Sequence, residues 1–196
     1  MQTIVGFKTR EKVTIITNGN ITTDDYKISS RPKNVVVCEN GLVLVADGTI
    51  KEINVLDEIA YCLDNPLNEL TKDYIIDNVL PVIHDVLEEN GLINFTPKGS
   101  LDISLNLLVA YKDKLFYITD MFDILEVSDY ITLGQYRGPV FVKLEYTKDE
   151  KVMVYRTLNA INELKEYCYY LDDFIYIVDT KKQIIHKESV KDAVGY

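Results

Sequence analysis

The stretch MQTIVGFKT, residues 1 to 9, alternates apolar and polar side chains around a glycine and reads as a β-strand that begins almost at the first residue. Free chain ends fray unless something holds them. A strand in that place needs a partner, and the next segment supplies one. After the turn Arg10-Glu11-Lys12, the run VTIITNG (13–19) is β-branched on both faces, which predicts a hairpin whose second strand is central and buried.

Working outward, a polar stretch leads to KNVVVCENGLVLVADG (33–48), a second hairpin with its turn at Glu39-Asn40-Gly41. From Thr49 the period changes. Ile50, Ile53, Leu56, Ile59, Ala60 and Leu63 recur at helical steps, and a second helix follows, capped by Thr71, striped by Ile75, Ile76, Val79, Leu80, Ile83, Val86 and Leu87, and ended by Asn90-Gly91. Pro81 should kink or break that helix. The strand period returns at 102–113, 115–120 and in short segments over 124–134, where Gly134 ends the run. A short helix is expected between Arg137 and Tyr146, with Pro139 tolerated in its first turns. A stronger helix is expected over 157–171 with Thr157 as N-cap, and two closing strands, FIYIVDT and QIIHKE, are joined by a lysine-rich turn.

The order is strands, two helices, strands, two helices, strands. Strands such as NVVV and LVLVA are apolar nearly throughout, so each sheet must be covered on both faces. An α+β fold follows: a four-layer αββα sandwich of two mainly antiparallel sheets, formed by one domain over residues 1–196.

Composition limits the function. A net charge of −10 and a pI near 4.7 disfavour general binding to nucleic acid or an anionic membrane, although one small anion in a locally basic pocket stays compatible. Cys38, Cys62 and Cys168 are odd in number, widely spaced and set in apolar runs, which predicts buried reduced thiols in a cytoplasm. No apolar run approaches the length of a membrane span, and the N-terminus lacks a basic segment followed by an apolar signal core. A soluble cytoplasmic protein is expected. Lysine over arginine, with abundant Asn, Ile, Tyr and Asp, points to a low-GC bacterial or phage genome, and so to a host cytoplasm if a phage encodes it.

Together, TIVGFKT with VTIITNGN, the hairpin KNVVVCENGLVLVADG, the segment LLVAYKDKLFYITDMFDILEVSDYITLGQYRGPV and the closing ELKEYCYYLDDFIYIVDT resemble the β subunits of proteasomes. They are equally similar to the peptidase of the bacterial two-component proteasome-like protease. Both are N-terminal-nucleophile hydrolases. In such enzymes a processed N-terminal threonine attacks the substrate carbonyl with its own α-amino group as base, so the first strand must begin in the active site.

The resemblance implies where that chemistry should stand, and the residues there differ. The family's Thr-Thr-Ile-Val-Gly is matched by Gln2-Thr3-Ile4-Val5-Gly6, which puts Gln2 at the nucleophile position. Its aspartate after the second strand falls on Asn18, near Asn20, and its lysine falls on Asn34 without a gap or on Lys33 with one residue skipped. The glycine- and serine-rich stretch appears as LGQYRGP (133–139), and the later aspartate and serine appear as aromatics near Tyr167 and Tyr170. All these changes remove charge or nucleophile, so the resemblance implies a kept fold and lost peptide-bond chemistry. The alternative is an active hydrolase with Met1 and Gln2 removed, Thr3 as nucleophile and Lys33 beside it. That shifts the strand by one residue and turns each side chain to the other face.

Candidate residues of the vestigial or ligand-binding site are thus Gln2, Thr3, Asn18, Asn20, Arg31, Lys33 and, at the end of the second hairpin, Asp47. Lys8, Arg10, Lys27, Arg31 and Lys33 could approach the cleft and hold a phosphate, or serve only as surface charge. Elsewhere the plainer readings are preferred: His84 with Glu88 as a helix-surface pair, His186 as an exposed strand residue, Asp172-Asp173 as a solvated turn, and Tyr167, Tyr169, Tyr170 and Tyr176 as packing between helix and sheet. No phosphate loop, dinucleotide fingerprint or zinc spacing is present, and no cofactor or metal is expected. The reading is a non-catalytic, ring-like homo-oligomer that binds or sequesters a small ligand, nucleotide-like in one version, or acts as a scaffold.

Overall fold

The computed structural model describes residues 3–18, 21–23, 26–28, 34–95, 101–135, 137–145, 147–167 and 174–189. Strands β1 (Thr3–Lys8) and β2 (Val13–Asn18) form the expected hairpin, paired antiparallel from Ile4 opposite Thr17 to Lys8 opposite Val13. Thr9 fixes its turn, because its Oγ1 accepts from the N–H groups of Glu11 and Lys12 while its own N–H donates to the Lys12 carbonyl. The polar stretch that follows carries a short hairpin the sequence pattern does not announce, β3 (Ile21–Thr23) with β4 (Tyr26–Ile28).

Next, β5 (Val35–Val37) and β6 (Val43–Asp47) pair across the Asn40-Gly41 turn. Gly41 has φ +85°, the left-handed region the turn requires of it. Asn40 locks the turn, accepting from the Leu42 N–H at 2.9 Å and donating to the carbonyls of Leu63 and Asn65.

The helical run after Thr49 is two helices, α1 (Ile50–Asn54) and α2 (Leu56–Cys62), separated at Val55, whose backbone leaves helical geometry. A capping box starts it. Buried Glu52 accepts from the N–H and Oγ1 of Thr49, both at 2.8 Å, and from the N–H of Ser104 at 2.7 Å, so one carboxylate ties the strand exit to the 104 loop. The second helix begins as expected at Thr71, whose side chain accepts from the Tyr74 N–H, and runs through α3 (Lys72–Tyr74), a π turn (Ile75–Val79) and α4 (Leu80–Glu89). Pro81 neither breaks nor ends it. The carbonyl four residues before the proline, that of Asp77, lies in the π turn, where the wider ladder accommodates a ring and a missing N–H. Asn90 caps the end and Gly91 follows at φ +65°.

A two-residue pair, β7 (Asn94–Phe95) with β8 (Leu101–Asp102), precedes the hairpin of β9 (Asn106–Tyr111) and β10 (Lys114–Ile118). Then come β11 (Ile124–Glu126), β12 (Tyr130–Gly134) and α5 (Arg137–Leu144). Helix α6 (Glu150–Tyr167) starts seven residues before the expected N-cap. Asp149 caps it, accepting from the Val152 N–H at 3.0 Å, while Thr157 is fully buried within the helix. The chain closes with β13 (Phe174–Asp179) and β14 (Ile184–Ser189).

The strands form two five-stranded antiparallel sheets, ordered β12-β1-β2-β13-β14 and β11-β10-β9-β6-β5. As expected, β2 is central in the first and buried at every residue. Three apolar cores mark the layers. One packs α1, α2 and α4 on the second sheet, one lies between the sheets around Ile4, Ile15, Val45, Leu108 and Leu115, and one packs the first sheet on α5 and α6 through Val5, Phe7, Ile16, Val140 and Ile161. This is the four-layer αββα sandwich. Among the described residues no helix is long and apolar enough to cross a membrane.

Of the thiols, Cys38 is buried, its pKa pushed up to about 12 by burial, and is inert. Cys62, expected to be buried, is exposed because the last turn of α2 presents it away from the core, and Cys168 lies outside the described residues.

At one edge of the α6 layer, Lys12 Nζ lies 2.8 Å from both Glu150 Oε1 and Asp179 Oδ2. Burial opposes ionisation of Asp179, but Lys12 and the N–H groups of Lys181 and Lys182, both at 3.0 Å, outweigh it and hold the carboxyl below the usual range. Its contribution to stability is therefore full above the ordinary value of 3.8 and lost as pH falls through the lowered folded value. Lys12→Met should cost roughly 1–3 kcal/mol at neutral pH and flatten this acid limb, as read by denaturant unfolding from neutral pH downward.

Candidate functional site

Alternation along β1 sorts its side chains. Ile4 faces the inter-sheet core, as does the position of Gly6, where an added Cβ would lie 3.1 Å from Leu108 and 3.2 Å from Leu115. Val5 and Phe7 face the α5–α6 layer, and Thr3 shares their face. Thr3 is fully buried, and its Oγ1 has no hydrogen-bond partner. Its backbone N–H donates to Asn18 Oδ1 at 2.5 Å, extending the β1–β2 pairing beyond its last rung at Ile4 and Thr17.

Among the described residues, those bonded to one another beside this strand start are neutral. Asn34 Nδ2 donates to Thr17 Oγ1 at 2.8 Å, Thr17 Oγ1 donates to the Asn18 carbonyl at 3.3 Å, and Asn34 Oδ1 is buried without a partner. Asn34 accepts the Ala46 N–H on its carbonyl at 2.8 Å, so it bridges the start of β5 to the first sheet. A lysine would have placed a charge there; the amide places a dipole.

Among the described residues, Asp47 is an acidic group at this end. It ends β6 on the same face as Val43 and Val45, opposite Asn106 of β9 in register. Tyr117 donates its hydroxyl to Asn106 Oδ1 at 2.7 Å. Burial lifts the Asp47 carboxyl above the usual carboxylate range, against the N–H of Gly134 and the charge of Arg137, which favour its ionised form. Gly134, at φ +90°, is where the chain leaves β12, so the carboxylate links one sheet to the exit of the other. Burial also raises the Tyr117 pKa, with the charges of Asp120 and Asp47 adding to it.

Of the residues read from sequence, Thr3 and Asn18 are in direct contact, and Asp47 stands at the same end of the sandwich. Gln2, Asn20, Arg31 and Lys33 lie outside the described residues, as do Asp172, Asp173, Tyr169 and Tyr170. For Tyr167 and Lys27 only the backbone is described, the one ending α6 and the other in β4. Lys8 and Arg10 do not approach this end. Lys8 ends β1, about 17 Å of strand from Thr3 at the usual rise per residue, and Arg10 lies in the turn beyond it. Asn106, Tyr117 and Arg137 escaped the sequence reading. The available signal was Asn106, a polar residue at an inter-sheet position of an otherwise apolar strand.

The two histidines take their plainer roles, whereas Tyr176, expected between helix and sheet, lies on the inter-sheet face of β13, since Ile175 and Ile177 take the α5–α6 side. His84 Nδ1 lies 3.5 Å from Asp85 and 3.9 Å from Glu88, all three on the exposed surface of α4, where such clusters are ordinary without an ion. His186 is exposed on β14. Tyr176 is buried, with Lys187 Nζ 5.9 Å from its ring centre.

No family model matches the sequence, and no curated protein matches it. Solved structures do match in fold. Anbu from Hyphomicrobium sp. strain MC1 is 12% identical with a TM-score of 0.69, over 98% of this chain and 92% of that one. Anbu (ancestral beta-subunit) from Yersinia bercovieri is 12% identical with a TM-score of 0.68, over 98% and 91%. Thiobacillus denitrificans BPH in complex with epoxomicin is 13% identical with a TM-score of 0.66, over 90% and 97%. The αββα sandwich described above is therefore the proteasome-like fold that the sequence resemblance implies.

Asp47 offers a direct test of the site's electrostatics. A carboxyl whose folded pKa is raised loses stability as pH climbs from its unfolded value through the folded one. Asp47→Asn should accordingly melt at a higher temperature than the parent at pH 7, with the gap closing in acid. A drop in melting temperature at pH 7 would show that the carboxylate is structural.

Proposed function

We propose that this chain, one domain over residues 1–196, is a non-catalytic protein of proteasome-like fold that assembles with copies of itself in a ring-like homo-oligomer and binds a small ligand at the vestigial site. The observation that carries the reading is the state of Thr3. Its hydroxyl is fully buried on the α5–α6 face of β1, turned away from the core between the sheets. A nucleophile needs access to substrate and a neighbouring base. Asn18 and Asn34 cannot accept a proton at neutral pH, and neither can supply the charge that would orient a lysine.

Two further observations favour a binding role. Asn34 Oδ1 is a buried polar atom without a hydrogen-bond partner among the described residues, and such an atom is satisfied by a water or a ligand. Phe141 and Val142 of α5 and Val152 and Tyr155 of α6 are exposed large apolar side chains on the helical layer, which supports burial against a second copy. A scaffold role needs only the assembly; a sequestering role needs the pocket as well. A phage source, with the host cytoplasm as its setting, agrees with the composition but adds nothing to the chemistry.

Intact mass under denaturing conditions separates this reading from the active alternative. Retention of Gln2, no turnover of peptide substrates, and no loss of ligand binding in Thr3→Ala are expected. A chain beginning at Thr3 with peptidase activity abolished by Thr3→Ala would defeat the proposal. Under native conditions the mass should be a multiple of the 22.5 kDa chain.

A further inference from the structure

At the far end of β1, remote from Thr3, a cleft of about 590 Å³ opens between the two sheets' turns and the α5–α6 connection. Four separate segments line it: Lys8, Thr9 and Arg10 at the β1–β2 turn, Asp113 at the β9–β10 turn, Ser128 and Asp129 before β12, and Lys148 before α6. Its volume is in the range of sites for small molecules.

The walls are held in place. Lys8 donates its N–H to the Asp129 carbonyl at 2.7 Å, Thr9 closes its own turn, and Lys8 Nζ is already engaged with Glu126 at 3.6 Å. By contrast, Arg10, Lys148, Asp113 and Asp129 make no ion pair within 4 Å, with each other or with any other described residue. Opposite charges share one cleft without touching. The space between them is where complementary charges of a ligand would stand.

We propose that this cleft binds a small zwitterion, an α-amino carboxylate or short peptide. Its carboxylate meets the Arg10 guanidinium and Lys148, and its ammonium meets Asp113 and Asp129, with the Ser128 hydroxyl as an added partner. Arg10 suits the first role because its planar fork matches a carboxylate with two parallel bonds. The two aspartates argue against a polyanion, which they would repel, and for a ligand that carries its own cation. The inference does not rest on the vestigial site and stands or falls apart from it.

Glycylglycine is a sufficient probe, since the proposed recognition is of the charged ends alone. Titrated into the full-length protein and followed by amide chemical shifts, it should perturb residues 8–10, 113, 128–129 and 148, leave Thr3 and Asn18 unmoved, and saturate. Arg10→Gln and Asp129→Asn should each weaken binding about tenfold or more, the effect of losing one charge-assisted bond. Both are exposed positions, so an unchanged melting temperature certifies the fold of each variant. Acetate or inorganic phosphate binding as tightly as glycylglycine would overturn the proposal in favour of a plain anion site. Absence of saturable shifts at the cleft, or equal affinity in the Asp129→Asn variant, would overturn it outright.

Discussion

Burial of β1 on both faces is the constraint from which the architecture follows. Ile4 lies in the core between the sheets, and Val5 and Phe7 lie in the core beneath α5 and α6. A strand with no wet face must have a covering layer on each side, and since each sheet also needs its own outer cover, four layers result. Gly6 sets how close the sheets come. The space a side chain would need there is taken by Leu108 and Leu115 of the opposite sheet. Polar groups gather at both ends of this strand, Asn18, Asn34 and Asp47 at its start and Arg10, Asp113 and Asp129 beyond its far end.

Much of the fold was legible because local chemistry and tertiary need agree. The Thr71 cap, the Asn90-Gly91 stop, the Asn40-Gly41 turn and the glycine ending β12 are each read from one or two residues whose backbone preferences decide the outcome. Where sequence misled, tertiary packing won. Thr157 has a cap-forming side chain, yet it sits in mid-helix on the buried stripe of Met153, Ala160 and Ile161. Pro81 carries a strong local signal that a π turn absorbs, and nothing in the sequence marks that turn. The candidate site was only half legible for a related reason. Thr3 and Asn18 were found from the resemblance to proteasome β subunits, whereas the Asn106–Tyr117 bond depends on cross-strand geometry and the Asp47–Gly134 link joins segments far apart in the chain.

The two ends of the sandwich treat charge differently. At the Thr3 end the groups nearest the strand start are amides and hydroxyls, which can be buried at modest cost when they bond to one another. Asp47 is the exception: its burial is opposed by its own ionisation and only partly offset by Gly134 and Arg137. Away from this end, Lys12 shows how the same fold accommodates a charge for stability, by placing two carboxylates at 2.8 Å.

Under the non-catalytic reading proposed above, a kept fold without catalysis follows from how β1 is held. Its pairing runs through main-chain bonds to β2 and β12, and its side chains are fixed by apolar cores that contain none of the groups a hydrolase would need. Replacing a charged residue at Asn18 by an amide keeps an acceptor for the Thr3 N–H, so the strand start stays tied down without the charge. The hydrogen bond that anchors the first strand asks only for an oxygen, while the chemistry asks for a base. Because those demands are separable, the scaffold does not depend on a base at Asn18.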